Sequence, residues 1–310
     1  MAQDQQRARA RRVFLRQLAL GASLPGLHTL LAACSGPTPA ALRPPPAAPA
    51  SLAAATQVPI PPTARATVAP TATVAPTATA TAQPTPTATP PPLRFAVIGD
   101  FGMAGEPAQA VAELVHSWNP DFVLSTGDNN YPHGDAETID ANVGQYYHRY
   151  IANYKGAYGQ GAAEQRFFPV LGNHDWDRGL PRAYLEYFSG VQRYYSFAKQ
   201  GLRFFALDSA LDEPDGVSAD SVQAQWLREA LAAASERWKI VVMHHPPFSS
   251  GHHGSSSWMQ WPYQAWGADL VLTGHDHNYE RTVPMKGTAA ASAGQKGIPY
   301  LVVGSGGAGL

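Results

Sequence analysis

The chain has 310 residues and a formal net charge of −1, but residues 93–310 hold 22 acidic against 15 basic residues. This acidic segment lacks the broad basic surface that binds a phosphate backbone. Its charge therefore argues against a nucleic-acid scaffold and predicts no nucleic-acid partner. The single cysteine excludes an internal disulfide and a cysteine-based zinc site.

Residues 1–34 are predicted to be an export signal. Arg11 and Arg12 precede a mostly apolar run over 15–33, which charged and helix-breaking residues interrupt, so it is a poor permanent membrane span. The RRVFL stretch resembles a twin-arginine export signal, and LAAC resembles a bacterial lipobox that would place a lipid on Cys34. An ordinary secretion signal with an incidental Cys34 is the alternative. The expected location is the outer face of the cell membrane, as an anchored lipoprotein, or the medium after secretion.

Residues 35–92 are predicted to be a disordered tether rich in Pro, Thr and Ala, because 16 of the chain's 28 prolines lie there. Such a segment cannot bury enough apolar surface to offset the entropy lost on ordering its backbone. Proline-rich chains are extended, so the tether would hold the following domain away from a membrane. Thr/Pro-rich tracts also occur as O-glycosylated stalks, and the sequence does not decide between the two.

From residue 93 onwards, short apolar runs alternate with helical patterns. The predicted strands cover residues 93–99, 121–127, 167–172, 194–197, 203–208, 239–243, 268–274 and 298–303. The predicted helices cover residues 106–118, 138–150 and 221–235. Most of the strands are apolar on both faces, which is typical of a mainly parallel sheet covered by helices. The pattern therefore predicts an α/β domain.

Several predicted strands end in side chains that suit a metal ion. These side chains are Asp100, Asp128, Asn173, His244 and His275. The carboxyl ends of parallel strands share one rim, so we expect the five side chains to lie together. A glycine precedes four of them, which would permit a tight turn out of the strand. Oxygen and nitrogen ligands without a thiol suit Fe, Mn, Zn or Mg, and Asp128 is the natural candidate to bridge two ions.

Five motifs occur in the order GDFG, GDNNY, GNHD, VVMHHPP and GHDHNYER. They resemble the motifs of calcineurin-like metallophosphoesterases, and most of all those of the purple acid phosphatase branch. The resemblance implies a metallophosphatase-type two-sheet sandwich flanked by helices (αββα) as the catalytic domain over residues 93–310. In that family more chain normally follows the VVGSGG strand and closes the second sheet, so we expect a truncated C-terminal part and reduced stability.

The resemblance implies a dinuclear centre of Fe(III) plus a divalent Fe, Zn or Mn. The first ion would be held by Asp100, Asp128, Tyr131 and His277, and the second by Asp128, Asn173, His244 and His275. Many metallophosphoesterases carry a histidine two residues after the first aspartate, where this chain has Gly102. The phenol of Tyr131 would restore the ligand count, which indicates the purple branch, although a packing tyrosine is the alternative.

Further residues are expected to act on the substrate. The resemblance places His174 against the substrate phosphate, with Asp175 behind it as a residue that orients the imidazole. His252 and His253 lie on a Gly/Ser-rich loop and are expected to protonate the leaving group or to bind phosphate; a solvated surface loop is the alternative. His245 is expected to point away from the metals.

The expected function is that of a membrane-tethered phosphomonoesterase acting on small phosphate esters, with a hydroxide between two cations as the nucleophile. One alternative is a phosphodiesterase on the same core, which the paired histidines disfavour. The other is a non-catalytic surface lipoprotein that binds phosphate or metal, and the presence of all seven candidate ligands disfavours it. The sequence leaves the natural substrate and the oligomeric state open.

Overall fold

The computed structural model describes residues 92–176 and 179–309. The predicted export signal with Cys34, and all but the last residue of the predicted tether, lie outside the described residues. In the part of the chain that is described, no helix combines the length and the apolar character needed to cross a bilayer.

Strands and helices alternate along the described chain. The strands are β1 (Phe95–Ile98), β2 (Phe122–Ser125), β3 (Phe167–Phe168), β4 (Tyr195–Lys199), β5 (Leu202–Ala206), β6 (Trp238–Val242), β7 (Leu270–Thr273), β8 (Tyr279–Arg281), β9 (Met285–Lys286), β10 (Ala289–Ala290) and β11 (Tyr300–Val303). The α-helices are α1 (Glu106–Ser117), α2 (Gln145–Tyr147), α3 (Arg182–Tyr187), α4 (Val222–Ala233) and α5 (Tyr263–Trp266). This order confirms the predicted α/β class.

Two sheets carry the domain. The first has the order β1-β2-β3 and is parallel throughout. The second has the order β4-β5-β6-β7-β11-β8, in which the four central strands are parallel and only the two edge strands are antiparallel. A small antiparallel ribbon of β9 and β10 stands apart from both sheets.

The sheets pack face to face, with helices on the outer faces. The core between them consists of Phe122, Leu124, Phe168, Val170, Phe204, Ala206, Ile240, Val242 and Leu272. Val123 and Phe167 of the first sheet face outwards and pack with residues of α1, α2 and α3, whereas the outer face of the second sheet packs with α4 and α5. Strands that are buried on both faces account for the near-continuous apolar runs in the sequence. The predicted sandwich flanked by helices is confirmed.

Two predicted elements differ in detail from those observed. The predicted helix 138–150 is broken into a π-helical turn (Asp140–Gly144), α2 and a 3₁₀ turn (His148–Tyr150). The side chain of Asp140 accepts hydrogen bonds from the phenols of Tyr154 and Tyr187, at 2.6 and 2.8 Å, which anchors the turn to distant parts of the chain. The predicted strand 167–172 pairs only over β3, because the next residue is Pro169 and has no N–H for the ladder.

Candidate metal centre

Three predicted ligands sit in sharp turns directly after their strands. Asp100 follows β1, Asp128 follows β2 and His275 follows β7, with φ angles of 56°, 53° and 71°. Residues other than glycine adopt this left-handed region only rarely, and such strain concentrates at functional sites. The turns gather the three side chains at the carboxyl ends of both sheets, which is where the strand pattern placed them.

Two of the glycines that precede predicted ligands have a different role from the one that the sequence predicts. Gly172 and Gly274 do not have positive φ, so neither is needed for a left-handed turn. A Cβ on Gly274 would lie 2.6 Å from Oδ2 of Asp100, and one on Gly172 would lie 2.9 Å from Cγ of Asp128. Only Gly127 combines close approach with a φ of 106°. The interpretation as turn glycines was therefore wrong at Gly172 and Gly274, where glycine instead makes room for the site's carboxylates.

One group of side chains surrounds the phenol of Tyr131. Its hydroxyl donates a hydrogen bond to Oδ2 of Asp128 at 2.9 Å and lies 3.4 Å from Oδ1 of Asp100. Nε2 of His277 lies 3.3 Å from the same hydroxyl and 3.5 Å from Oδ1 of Asp100. These four side chains are the set that the resemblance assigned to the first ion.

A second group surrounds Nε2 of His244. That atom lies 3.1 Å from Oδ1 of Asn173, 3.2 Å from Nδ1 of His275 and 3.3 Å from Oδ2 of Asp128. Nδ1 of His244 bonds the Thr126 carbonyl oxygen at 2.9 Å, which keeps Nε2 turned towards the cluster. The second group matches the set assigned to the second ion, and Asp128 belongs to both groups. The structure thus brings all seven predicted ligands together.

The titratable side chains of this cluster shift one another's pKa values. Burial alone would lower the pKa of His244, but the carboxylates of Asp128 and Asp100 outweigh it and raise that pKa to about 10. Burial would likewise raise the pKa of Asp128, yet the neighbouring His244 holds it below its usual range. Burial and the charge of His244 lower the pKa of His275 to about 3, and its neutral imidazole offers the lone pair that a metal requires.

The chemistry of these donors fits a metal centre. Ligand atoms of Asp100, Asp128 and His244 all lie within 4.8 Å of one another, and all three residues are buried. Neighbouring buried carboxylates repel each other, and a cation between them removes that cost. Oxygen and nitrogen donors are the ligands that Fe, Zn and Mn share.

His174 lies at the edge of the cluster. Its backbone N–H donates to Oδ1 of Asp128 at 2.9 Å, and its ring centroid is 4.3 Å from that of Tyr131. Nδ1 of His174 bonds the carbonyl oxygen of Pro132 at 2.7 Å, so Asp175 does not orient this imidazole as expected. The difference arises because the two side chains of the 3₁₀ turn at Asn173–Asp175 face opposite ways, Asp175 inwards and His174 towards solvent.

Asp175 instead supports the turn that carries the shared aspartate. Its carboxylate accepts hydrogen bonds from the backbone N–H and the side-chain amide of Asn129, both at 2.9 Å, and from the backbone N–H of Gly172 at 2.8 Å. Burial and the charge of Asp128 raise the pKa of Asp175 to about 7. The role of Asn129 was not expected, although its place directly after Asp128 is a sequence feature that could have suggested it.

Three of the other histidines lie on the side of His275. The ring centroid of His253 is 4.4 Å from that of His275, and the ring centroid of His252 is 5.1 Å from that of His253. His245 directs Nδ1 to the Ser209 hydroxyl at 2.9 Å, and its ring packs against His275 with 4.4 Å between centroids. His252 and His253 are thus beside the cluster, whereas His245 lies behind it.

The glycine-rich segment 304–309 covers the first turn of the site. The backbone N–H groups of Gly306 and Ala308 donate to the carbonyl oxygens of Gly99 and Asp100, both at 2.9 Å. A Cβ on Gly304 would lie 2.9 Å from Oδ2 of Asp100. Small residues are therefore needed here so that the backbone can approach the Asp100 turn closely.

Comparison with known families and proteins gives a consistent result. Residues 93–279 match the family described as calcineurin-like phosphoesterase. The chain is 32% identical to purple acid phosphatase 17 of Arabidopsis thaliana, over 59% of this chain and 62% of that protein. It is 25% identical to the human tartrate-resistant acid phosphatase type 5, over 61% of this chain and 68% of that protein.

A solved structure shares the fold. The purple acid phosphatase PPD1 from yellow lupin (Lupinus luteus) seeds superimposes with a TM-score of 0.55 at 20% identity, over 70% of this chain and 45% of that one. The alignments cover 62% and 58% of the lengths of two Arabidopsis relatives, purple acid phosphatases 17 and 3, so this chain spans about three fifths of each.

Proposed function

Because the chain belongs to the calcineurin-like phosphoesterase family, we propose that it is a phosphomonoesterase of the purple acid phosphatase type. The observation that carries the proposal is the division of seven side chains into two contact groups with Asp128 in both. Two adjacent cations that share one carboxylate fit this division. The relatives named as acid phosphatases support the same reaction class.

Each contact group would hold one ion. The first, Fe(III), would be held by Asp100, Asp128, Tyr131 and His277, and the second, a divalent Fe, Zn or Mn, by Asp128, Asn173, His244 and His275. When bound, such a pair supplies Lewis-acid chemistry to the phosphate oxygens and lowers the pKa of a water. The backbone N–H of His174 keeps Asp128 oriented for both ions.

The surrounding histidines would act on the ester itself. His174 lies on the solvent side of Tyr131, where its ring contacts the phosphate of a bound substrate. His253 lies beside His275 and gives a proton to the leaving oxygen as the P–O bond breaks, with His252 next to it in the same loop. We assign the roles of His174 and His253 to substrate contact, and His252 to a supporting position.

Hydrolysis of p-nitrophenyl phosphate tests the proposal. The full chain is loaded with iron plus zinc or manganese and assayed from acidic to neutral pH, with and without a chelator. We expect turnover that the chelator abolishes. A folded, metal-loaded protein without turnover would contradict the phosphatase assignment and leave a binding protein.

The variant Asp128→Asn tests the shared ligand. Removing the charge of a carboxylate that belongs to both groups should lower kcat/KM by about 100-fold or more, which is about 2.7 kcal/mol of transition-state stabilisation. Metal content should fall with it while the circular dichroism spectrum is kept. Asp212→Asn, at an exposed aspartate, is the matched control. Unchanged hydrolysis in Asp128→Asn would exclude this centre.

A phosphodiesterase on the same core is distinguished by substrate. Comparison of p-nitrophenyl phosphate with bis(p-nitrophenyl) phosphate gives the ratio of kcat/KM values for monoester and diester. We expect the monoester to be preferred, because two imidazoles at the cavity edge suit a phosphate that carries two negative charges. A preference for the diester would replace the monoesterase assignment.

We also propose that the enzyme acts outside the cytoplasm, tethered through a lipid on Cys34. The support is the sequence pattern alone: the Arg11-Arg12 pair, the apolar run and the small residues before the cysteine. Cys34→Ser should abolish incorporation of labelled lipid and release the protein from membranes. Replacement of Arg11 and Arg12 by Lys should retain the precursor in the cytoplasm. Normal export and anchoring of both variants would contradict the proposal.

A further inference from the structure

The loop Ser249–Gly254, called here the histidine loop, is fastened to the buried carboxylate of Asp276. Asp276 accepts a hydrogen bond from the backbone N–H of His253 at 2.6 Å and another from the hydroxyl of Ser249. Ser249 in turn accepts from the backbone N–H of Gly251 at 2.9 Å, which folds the loop back on itself. The carboxylate of Asp276 thus holds the loop from within.

The fit between the loop and this carboxylate leaves no spare room. A Cβ on Gly251 would overlap the carboxylate of Asp276, although the backbone of Gly251 does not have positive φ. Glycine is therefore required by the closeness of the carboxylate and not by the turn. The backbone of the loop at Gly251 therefore packs directly against the carboxylate of Asp276.

The buried carboxylate of Asp276 is paired with hydrogen-bond donors of the loop and not with a cation. It is only 1% exposed, and among the described residues no lysine or arginine forms an ion pair with it. A buried carboxylate needs donors for its oxygens, and an unmet one is costly. The N–H and O–H donors of the histidine loop meet that need, so the acid and the loop depend on each other.

The position of Asp276 links the loop to the metal centre. It lies between His275 and His277, which belong to the two contact groups. Glu280 also contacts the loop and accepts a hydrogen bond from the backbone N–H of Ser250 at 2.9 Å. The stretch that supplies two predicted ligands therefore also supplies both anchors of the loop.

The loop borders a cavity at the edge of the centre. The cavity has a volume of about 350 Å³, and its lining includes His252, His253 and His277. A bound ester would extend its leaving group into such a space. A shift of the loop would carry His253 away from the leaving oxygen of such an ester and away from the ring of His275.

We propose that Asp276 is a positioning residue, which fixes the backbone of His253 so that its imidazole reaches the leaving oxygen of the substrate. This inference rests on the proposed phosphomonoesterase function and adds a substrate class to it. Esters of alkyl alcohols need the proton most, because an alkoxide is a poor leaving group, whereas p-nitrophenolate leaves without much help. Asp276 therefore matters most for alkyl phosphates.

The test compares Asp276→Asn with the wild type and with the control Asp212→Asn on two substrates. We expect kcat for glycerol 2-phosphate to fall at least 10-fold more than kcat for p-nitrophenyl phosphate, with unchanged metal per chain. Amide hydrogen exchange in residues 249–254 should become faster. Equal losses on the two esters, or unchanged exchange in the loop, would overturn the proposal.

A second variant covers the case in which Asp276→Asn loses metal or fails to fold. Ser249→Ala removes one donor to the carboxylate and leaves the 275–277 stretch intact, so it should show the same dependence on leaving group with a smaller loss. If it shows no such dependence, the proposal is wrong. If the wild type hydrolyses neither ester, the phosphatase assignment fails and the positioning role fails with it. Hydrogen exchange then still shows whether Asp276 holds the loop.

Discussion

Gly172 and Gly274 lie against the two carboxylates of the centre, and neither has positive φ. A methyl group added there meets Asp128 or Asp100 rather than open space. Because packed interiors have little free volume, one of the two groups has to move. At the scale of single residues, the geometry of this site therefore depends on the lack of a side chain at these glycines as much as on the ligands.

Gly172→Ala should weaken metal binding by about 10- to 100-fold, the range typical of residues that support a metal ligand. The added methyl group displaces the carboxylate of Asp128, while the backbone angle suits alanine. Isothermal titration with Zn²⁺ or Mn²⁺ measures the change. Ser235→Ala, at an exposed residue far from the cluster in sequence, is the control. Equal affinities in the two variants would show that the space beside Asp128 is unimportant.

The buried Asp208 predicts a dependence of stability on pH. Burial and the neighbouring Glu213 raise the pKa of Asp208 well above its ordinary value, and its Oδ2 has no hydrogen-bond partner among the described residues. A pKa that is raised in the folded state contributes stability at low pH, which is lost as the pH rises from about 4 through the folded value, by at most about 1.4 kcal/mol per pH unit.

Asp208→Asn should remove that loss. The melting temperature of the variant relative to the wild type should increase as the pH is raised from 5 to 8, because the amide stays neutral throughout. Thermal unfolding at several pH values measures it, with Asp212→Asn as the exposed control. A difference that does not change with pH would contradict the assignment of a raised pKa to Asp208.

The sequence predicted the ligands, but it gave the wrong partner for Asp175 and no role for Asn129. Asp100, Asp128 and His275 each come within three residues of the end of an apolar strand, so a local pattern marks them. The bond from Asn129 to Asp175 spans 46 residues, and the bond from His253 to Asp276 spans 23. Such pairs carry no periodicity of their own, and only the folded chain brings them together.

At the scale of elements, helix α4 has the clearest local determinant. Its first turn is capped by Ser221, whose hydroxyl oxygen accepts a hydrogen bond from the backbone N–H of Ala224 at 3.2 Å. Ser221→Ala should therefore lower the free energy of unfolding by about 1 kcal/mol. Urea denaturation measures the change, and Ser235→Ala, exposed just past the helix, is the control. Equal midpoints for the two variants would show that the cap is unimportant.

The helices predicted most accurately from sequence are those with enough length to show a period. Helices α1 and α4 have 12 residues each and were predicted to within a few residues. The short elements α3, α5, β8, β9 and β10 were missed. They have between two and six residues, and strand β10 is exposed throughout, so no apolar repeat marks it.

At the scale of the whole molecule, the centre draws on both sheets. Asp100 and Asp128 follow strands of the first sheet, whereas His244 and His275 follow strands of the second. Ions held between them would tie the sheets together at one end of the sandwich. Metal binding and global stability should therefore be coupled, since a ligand bound only by the folded state stabilises it.

Removal of metal should lower the melting temperature. At a free metal concentration of 100 times Kd the bound state gains about 2.7 kcal/mol, which for a domain of this size corresponds to roughly 5–10 °C. Differential scanning calorimetry before and after chelation measures the shift. Asp128→Asn is the control and should show almost none. A wild type that melts at one temperature with and without metal would contradict the coupling.

The left-handed turns at Asp100, Asp128 and His275 hold metal ligands at a cost to the stability of the metal-free fold. Asparagine enters this region of backbone space readily and carries no charge, so Asn in place of either aspartate would ease a metal-free fold. A mutant library sorted only for heat resistance without metal would therefore drift towards Asn at positions 100 and 128. The selected variants would be heat-resistant and inactive. Thermostabilisation of this protein should therefore begin by keeping these three turns as they are.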